Sequence, residues 1–112
     1  MRKFIFGIFV LMLLVAFAPV VEAANSAIRV HNDTGKTVFY LYVSRQGSSF
    51  GEDRLGSRIL RNGETFGVPN LPVAHTYQVR LVDEDGNRYT IRGVTLRPAA
   101  AAQVRFTQRN RD

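Results

Sequence analysis

From Ala27 onward, apolar and polar residues alternate with a period of two, and turn-forming residues break the pattern about every ten positions. Ile28 and Val30 alternate with Arg29 and His31, and Asn32-Asp33-Thr34-Gly35 then makes a turn. Val38–Ser44 is so rich in aromatic and branched residues that it predicts a strand covered on both faces. Arg45–Ser57 reads as a long polar loop carrying Gly47, Gly51 and Gly56. A short segment at Arg58–Leu60 leads to the Asn62-Gly63 turn, and Thr65–Val68 predicts another strand. Pro69 and Pro72 punctuate the connection that follows.

Tyr77–Val82 and Arg88–Val94 form the clearest unit. Glu84-Asp85-Gly86 predicts a three-residue hairpin loop with Gly86 in the left-handed position. That loop pairs Leu81 with Tyr89 and Val79 with Ile91 on one face, and Arg80 with Thr90 and Gln78 with Arg92 on the other. A two-residue loop would set Val79 against Arg92, and parity rejects it. Pro98-Ala99-Ala100-Ala101-Ala102 predicts a connection or a short helical turn, and Gln103–Thr107 a closing strand with Val104 and Phe106 inward. Gln108–Asp112 is polar and predicts a frayed tail. Six or seven short strands in one small domain predict an all-β fold, a small antiparallel β-sandwich or open barrel.

The residues before this pattern are of another kind. Arg2 and Lys3 precede an apolar run from Phe4 to Val21, which ends in Pro19 and then Val21-Glu22-Ala23. This predicts a secretory signal peptide over residues 1–23 and a single domain over 24–112. Cleavage after Ala24 is the alternative, with Glu22 then at the −3 position. An uncleaved anchor is the rival reading, since about 20 apolar residues can span a bilayer; Pro19 and the small-residue exit favour cleavage. The absence of cysteine excludes a lipoprotein anchor, and no second apolar run predicts a transmembrane segment. The expected location is therefore outside the cytoplasm, in the periplasm or secreted.

Loss of the leader removes Arg2, Lys3 and Glu22 and so lowers the formal charge of +6 by one. All remaining basic residues but Lys36 are arginine. That charge predicts attraction to polyanions rather than a fold. Without cysteine, an exported domain has no disulfide, thiol catalysis or cysteine-ligated zinc, and must be held by its core alone.

Four features carry candidate chemistry. Asp83-Glu84-Asp85-Gly86-Asn87 superficially resembles the start of a calcium loop, and Asp83 and Asp85 with Glu52 or Asp53 are its candidate ligands. The twelfth position from Asp83 is Val94 rather than glutamate, and a hairpin needs turn residues there anyway. No metal site and no cofactor are therefore assigned. Arg29, Arg80, Arg92 and Arg105 share the outward parity of their strands. On neighbouring strands they would make a basic stripe for phosphates, lipid headgroups or acidic glycans; otherwise they line a solvated face. Nucleic acid is not expected, because export removes the usual targets and no exposed aromatic ladder lies on the arginine parity. Ser48–Gly56 is the third feature: Phe50 and Leu55 either serve binding or fold back as plugs over the core. The fourth is His31 or His75 with Ser44, Ser48, Ser49 or Ser57, which lacks any triad spacing or nucleophile elbow. Asn32-Asp33-Thr34 matches a glycosylation sequon, ordinarily silent in a bacterial periplasm.

Val30-His31-Asn32-Asp33-Thr34-Gly35, Leu41-Tyr42-Val43-Ser44, Gly51-Glu52-Asp53-Arg54-Leu55-Gly56 and the run from Tyr77 to Gly86 together resemble a group of small exported bacterial β-domains of unknown function. The resemblance covers most of residues 28–96. Relatives commonly carry tryptophan at the position of Phe50 and two cysteines at the positions of His75 and Arg97. The predicted pairing sets 75 opposite 95, within reach of the disulfide that this chain lacks. Some relatives carry argininosuccinate lyase labels, but that enzyme is a large helical tetramer, and no activity or functional residue transfers. The sequence thus points to a non-enzymatic binding or structural module of the bacterial cell envelope whose envelope or extracellular partner it does not name, an anionic one if the arginines form a stripe. A calcium-dependent module is the alternative, and a small secreted hydrolase or lyase is third.

Overall fold

The structure, a computed structural model, describes residues 24–112; the leader predicted over residues 1–23 lies outside the described residues. Alternation decides which side of each strand is dry. In β1 (Asn25–Asn32), Ile28 and Val30 are fully buried while Arg29 is exposed. The same period recurs in β2 (Val38–Arg45), β4 (Thr76–Asp83) and β6 (Ala102–Phe106), which bury Leu41 and Val43, Val79 and Leu81, and Val104 and Phe106. With β3 (Thr65–Pro72) and β5 (Arg88–Thr95) they form two three-stranded sheets, ordered β3-β1-β6 and β2-β4-β5. The inward residues of both sheets make one apolar core, as an all-β sandwich requires. Each fully buried large side chain contributes about 1.5–3 kcal/mol. Among the described residues, no helix is long and apolar enough to cross a membrane.

Several strands depart from expectation for identifiable reasons. β1 and β6 run parallel, so the first sheet is mixed rather than antiparallel. The chain passes through the whole second sheet between them, and that long crossover frees β6 from hairpin geometry. β3 continues through Pro69 and Pro72 instead of stopping at them. It is an edge strand, and an extra residue opposite Ala27, with Asn70 at φ 61°, makes a bulge that tolerates proline. Arg58–Leu60 contributes only a bridge, the reciprocal backbone bonds between Val38 and Leu60 of 2.8 and 2.9 Å. Arg97–Ala100 is a tight turn, with Ala99 at φ 59°, and not a helical one.

The β4–β5 hairpin has its expected loop, with Gly86 at φ 82°. Val79–Ile91, Arg80–Thr90 and Leu81–Tyr89 pair as read from the sequence. The Gln78–Arg92 pair does not form. A register shift between Tyr77 and Val79 sets Tyr77 opposite Val94 and Thr76 opposite Thr95, and Gly93 at φ 75° absorbs the extra residue. Position 75 therefore continues towards 96, not 95.

The C-terminal segment is ordered rather than frayed. Thr107 caps a 3-10 turn over Gln108–Asn110 through a reciprocal capping box with Asn110. Arg111 then bridges Tyr89, and the Asp112 amide donates to the Arg88 carbonyl at 2.8 Å. This covers one end of the β5 edge.

Candidate functional site

Two loops are organised by carboxylates that the sequence offered as chemistry, one buried and one half-buried. Asp83 is 2% exposed. Its Oδ1 accepts the amides of Asp85 and Asn87, both at 2.9 Å, and its Oδ2 accepts the Tyr89 hydroxyl at 2.8 Å and the Asn87 side-chain amide at 3.3 Å. Burial alone would push this carboxyl up, but the four donors overcome it and hold its pKa below the ordinary value. Tyr89 is raised in turn, by burial first and by its bond to Asp83 second. Asp85 pairs with Lys36 at 3.3 Å, which raises the lysine. Asp53 accepts the Leu41 and Leu55 amides at 2.9 and 3.0 Å and the Gly56 amide at 3.1 Å. The candidate calcium ligands are thus spent on two separate turns, and Glu52 stands exposed at the second. Among the described residues, no group of three or more metal-ligating side chains forms. Millimolar calcium is expected to leave the melting temperature unchanged; a rise reversed by chelator would contradict this account.

Asn32 of the sequon is fully buried. Its Nδ2 donates to the Lys36 and Leu60 carbonyls at 2.8 and 2.9 Å, while Oδ1 accepts from Thr34 Oγ1 at 2.7 Å. It anchors the turn and offers no acceptor nitrogen. His31 lies on the outer face of the first sheet, 2.6 Å from both Thr65 Oγ1 and Gln103 Oε1. His75 packs edge-on to Tyr77, with ring centroids 6.4 Å apart. Neither histidine hydrogen-bonds a serine or a carboxylate among the described residues.

The arginines do not form one stripe. Arg29 and Arg105 belong to the first sheet, Arg80 and Arg92 to the second, so the outward parity they share leads to opposite faces of the sandwich. Arg105 is paired with Asp33. Arg92 and Arg105, at the seam between β5 and β6, both line a groove of about 320 Å³ together with Ile91, Val94 and Val104.

The outer face of the second sheet holds the most distinctive arrangement. Register builds it in rows, Tyr40–Val82–Arg88 and then Tyr42–Arg80–Thr90. A register shift between Val38 and Tyr40 turns an extra residue, Phe39, towards solvent. Phe39, Tyr40 and Ile59 are 40%, 46% and 44% exposed, and together they are the exposed large hydrophobic residues of the described chain. The strand expected to be covered on both faces is therefore covered on one. Its outer face carries the aromatic ladder on the arginine parity that the sequence reading denied.

That ladder is ordered by contacts. Tyr40 and Tyr42 stack with centroids 6.5 Å apart and planes at 15°. Phe50 and Tyr42 pack in edge-to-face geometry with centroids 6.3 Å apart, and the Arg80 guanidinium lies over the Phe50 ring at 4.2 Å. Arg80 Nε also donates to Thr90 Oγ1 at 3.1 Å, and Thr90 Oγ1 donates to Asp112 Oδ2 at 3.0 Å. Gln78, buried under the loop, fixes its approach by donating to Ser44 Oγ at 3.0 Å and the Ser48 carbonyl at 2.8 Å. The loop thus divides its labour. Leu55, 4% exposed, plugs the core, while Phe50 stays on the outer face.

Between the Phe50 loop and the Gly86 turn runs a shallow groove of about 410 Å³, lined by Tyr40, Tyr42, Phe50, Arg80 and Arg88. Tyr40, Tyr42 and Arg88 are the residues that sequence reasoning missed. Their signal was present, since Tyr40, Tyr42, Arg80 and Arg88 are polar-parity positions, but their adjacency depends on β2 pairing with β4 across a long loop. Comparison with known proteins finds no matching family model, no matching curated protein and no matching solved structure.

Proposed function

We propose that this protein is an exported, non-catalytic binding module of the bacterial cell envelope, acting in the periplasm or outside the cell, and that it binds an anionic partner through the outer face of its second sheet. The observation that carries this reading is the Tyr40–Tyr42–Phe50–Arg80 array. Large apolar groups gathered on one exposed face, beside guanidinium groups, mark an interaction surface rather than a solvated one. The leader predicted from the sequence and the resemblance to small exported β-domains support the location.

Salt elution from heparin and from phosphatidylglycerol vesicles tests which face binds. The Arg80→Ala, Arg88→Ala double variant is expected to elute at clearly lower salt than the wild type, whereas the charge-matched Arg29→Ala, Arg105→Ala double variant, on the opposite sheet, changes elution little. Equal losses from both substitutions would show attraction by net charge alone and overturn the assignment of the face.

A further inference from the structure

The four tyrosines of the chain fall into two pairs. Tyr77 and Tyr89 are buried, and each hydroxyl is engaged, donating to the Pro72 carbonyl at 2.7 Å and to Asp83 at 2.8 Å. Both follow the rule that a buried phenol finds a partner. Tyr40 and Tyr42 do the reverse. They stack on each other along one strand, partly exposed, and their hydroxyls make no hydrogen bond among the described residues. Their hydroxyls, and the ring surface not covered by this stack or by Phe50, are left for something else.

The charges beside them are also unequal. Arg80 is held over Phe50 and bonded to Thr90, and its Nη2 stands 3.5 Å from Asp112 Oδ2. This face thus already holds one carboxylate, supplied by the chain itself, and its polar groups match that geometry. Arg88 lines the same groove, in the row of Tyr40, and its guanidinium forms no ion pair or hydrogen bond among the described residues. The groove therefore offers near-parallel aromatic faces, two phenolic hydroxyls and one uncommitted cation.

From this set we infer that the ligand is an anionic saccharide; the inference rests on the binding face proposed above. A sugar ring presents a face of C–H groups to the tyrosine π-systems, whose negative faces attract them. Its hydroxyls meet the Tyr40 and Tyr42 hydroxyls, and its carboxylate pairs with Arg88.

Binding of a short oligogalacturonate and of its neutral methyl ester to the folded domain, followed by calorimetry and tyrosine fluorescence, tests the assignment. The acid is expected to bind about tenfold more tightly than the ester, and Arg88→Gln to erase that difference while leaving ester binding in place. Tyr42→Ala should abolish binding of both, whereas Tyr42→Phe, which keeps the ring, should retain most of it; thermal melts confirm that each variant is folded. Equal binding of acid and ester, or an unaffected Arg88→Gln variant, overturns the anionic assignment. If neither saccharide binds but retention on phosphatidylglycerol vesicles still depends on Arg80 and Arg88, the saccharide inference falls and the binding face stands. If nothing binds through this face, both fall.

Discussion

Replacing Asp83 by alanine is expected to cost about 3 kcal/mol of stability, one of the largest losses available to a single substitution in this domain. The side chain is 2% exposed and accepts four hydrogen bonds, two from backbone amides of the hairpin turn and one each from Tyr89 and Asn87. Alanine removes every acceptor at once and leaves the fully buried Tyr89 hydroxyl without one. Asparagine keeps one oxygen and should fall between the two. Urea unfolding of the three proteins at neutral pH measures this order. A variant as stable as the wild type would show that the turn holds without its carboxylate.

The same contacts set a pH dependence. The folded pKa of Asp83 is lowered from 3.8, so its contribution is fully present above that value and is lost as pH falls through the folded pKa. Tyr89 acts at the other end. Its pKa is raised from 10.0, so its contribution is complete below that value and is lost as pH rises through the folded one. Stability of the wild type should therefore fall below about pH 4. Asp83→Ala should show a flatter acid limb, and an unchanged slope would assign the acid sensitivity elsewhere.

Leu55→Ala carries the second large effect, about 3 kcal/mol within the range of buried leucine truncations. Leu55 is 4% exposed and belongs to the common core although it comes from a loop. Its entry is fixed by Asp53, which accepts its amide, and by the Arg54 amide donating to the Leu41 carbonyl at 2.7 Å. Phe50→Ala, five residues earlier in the same loop, should cost only about 1 kcal/mol, because it loses a partly exposed cation–π contact and not core volume. Parallel denaturant curves would reveal the asymmetry. Similar losses from both would mean that Phe50 is as structural as Leu55.

Local patterns carried much of the fold. The period of two in β1, β4 and β6 identified those strands and most of their buried residues, while β2 was read from its aromatic and branched composition and not from alternation. The loop parity at Gly86 identified three cross-strand pairs correctly. These features depend on neighbours in the chain, so alternation and turn chemistry suffice to read them. Departures arose where the energy comes from distant partners. β6 runs parallel to β1 because of a crossover through the other sheet, and the tail is ordered because Asp112 and Arg111 find the β5 edge.

The candidate site divides in the same way. Sequence alone marked Arg80 as a surface group and Asp83-Glu84-Asp85-Gly86 as a turn, and left Phe50 open between binding group and core plug. It determined, too, that thiol chemistry and disulfides play no part in this chain. Only the tertiary structure decided that Arg29 and Arg105 lie on one sheet and Arg80 on the other, since parity tells inside from outside but not which outside. It alone set Tyr42 beside Arg80 and Tyr40 in line with Arg88, because strand pairing, not chain order, brings such residues within contact distance.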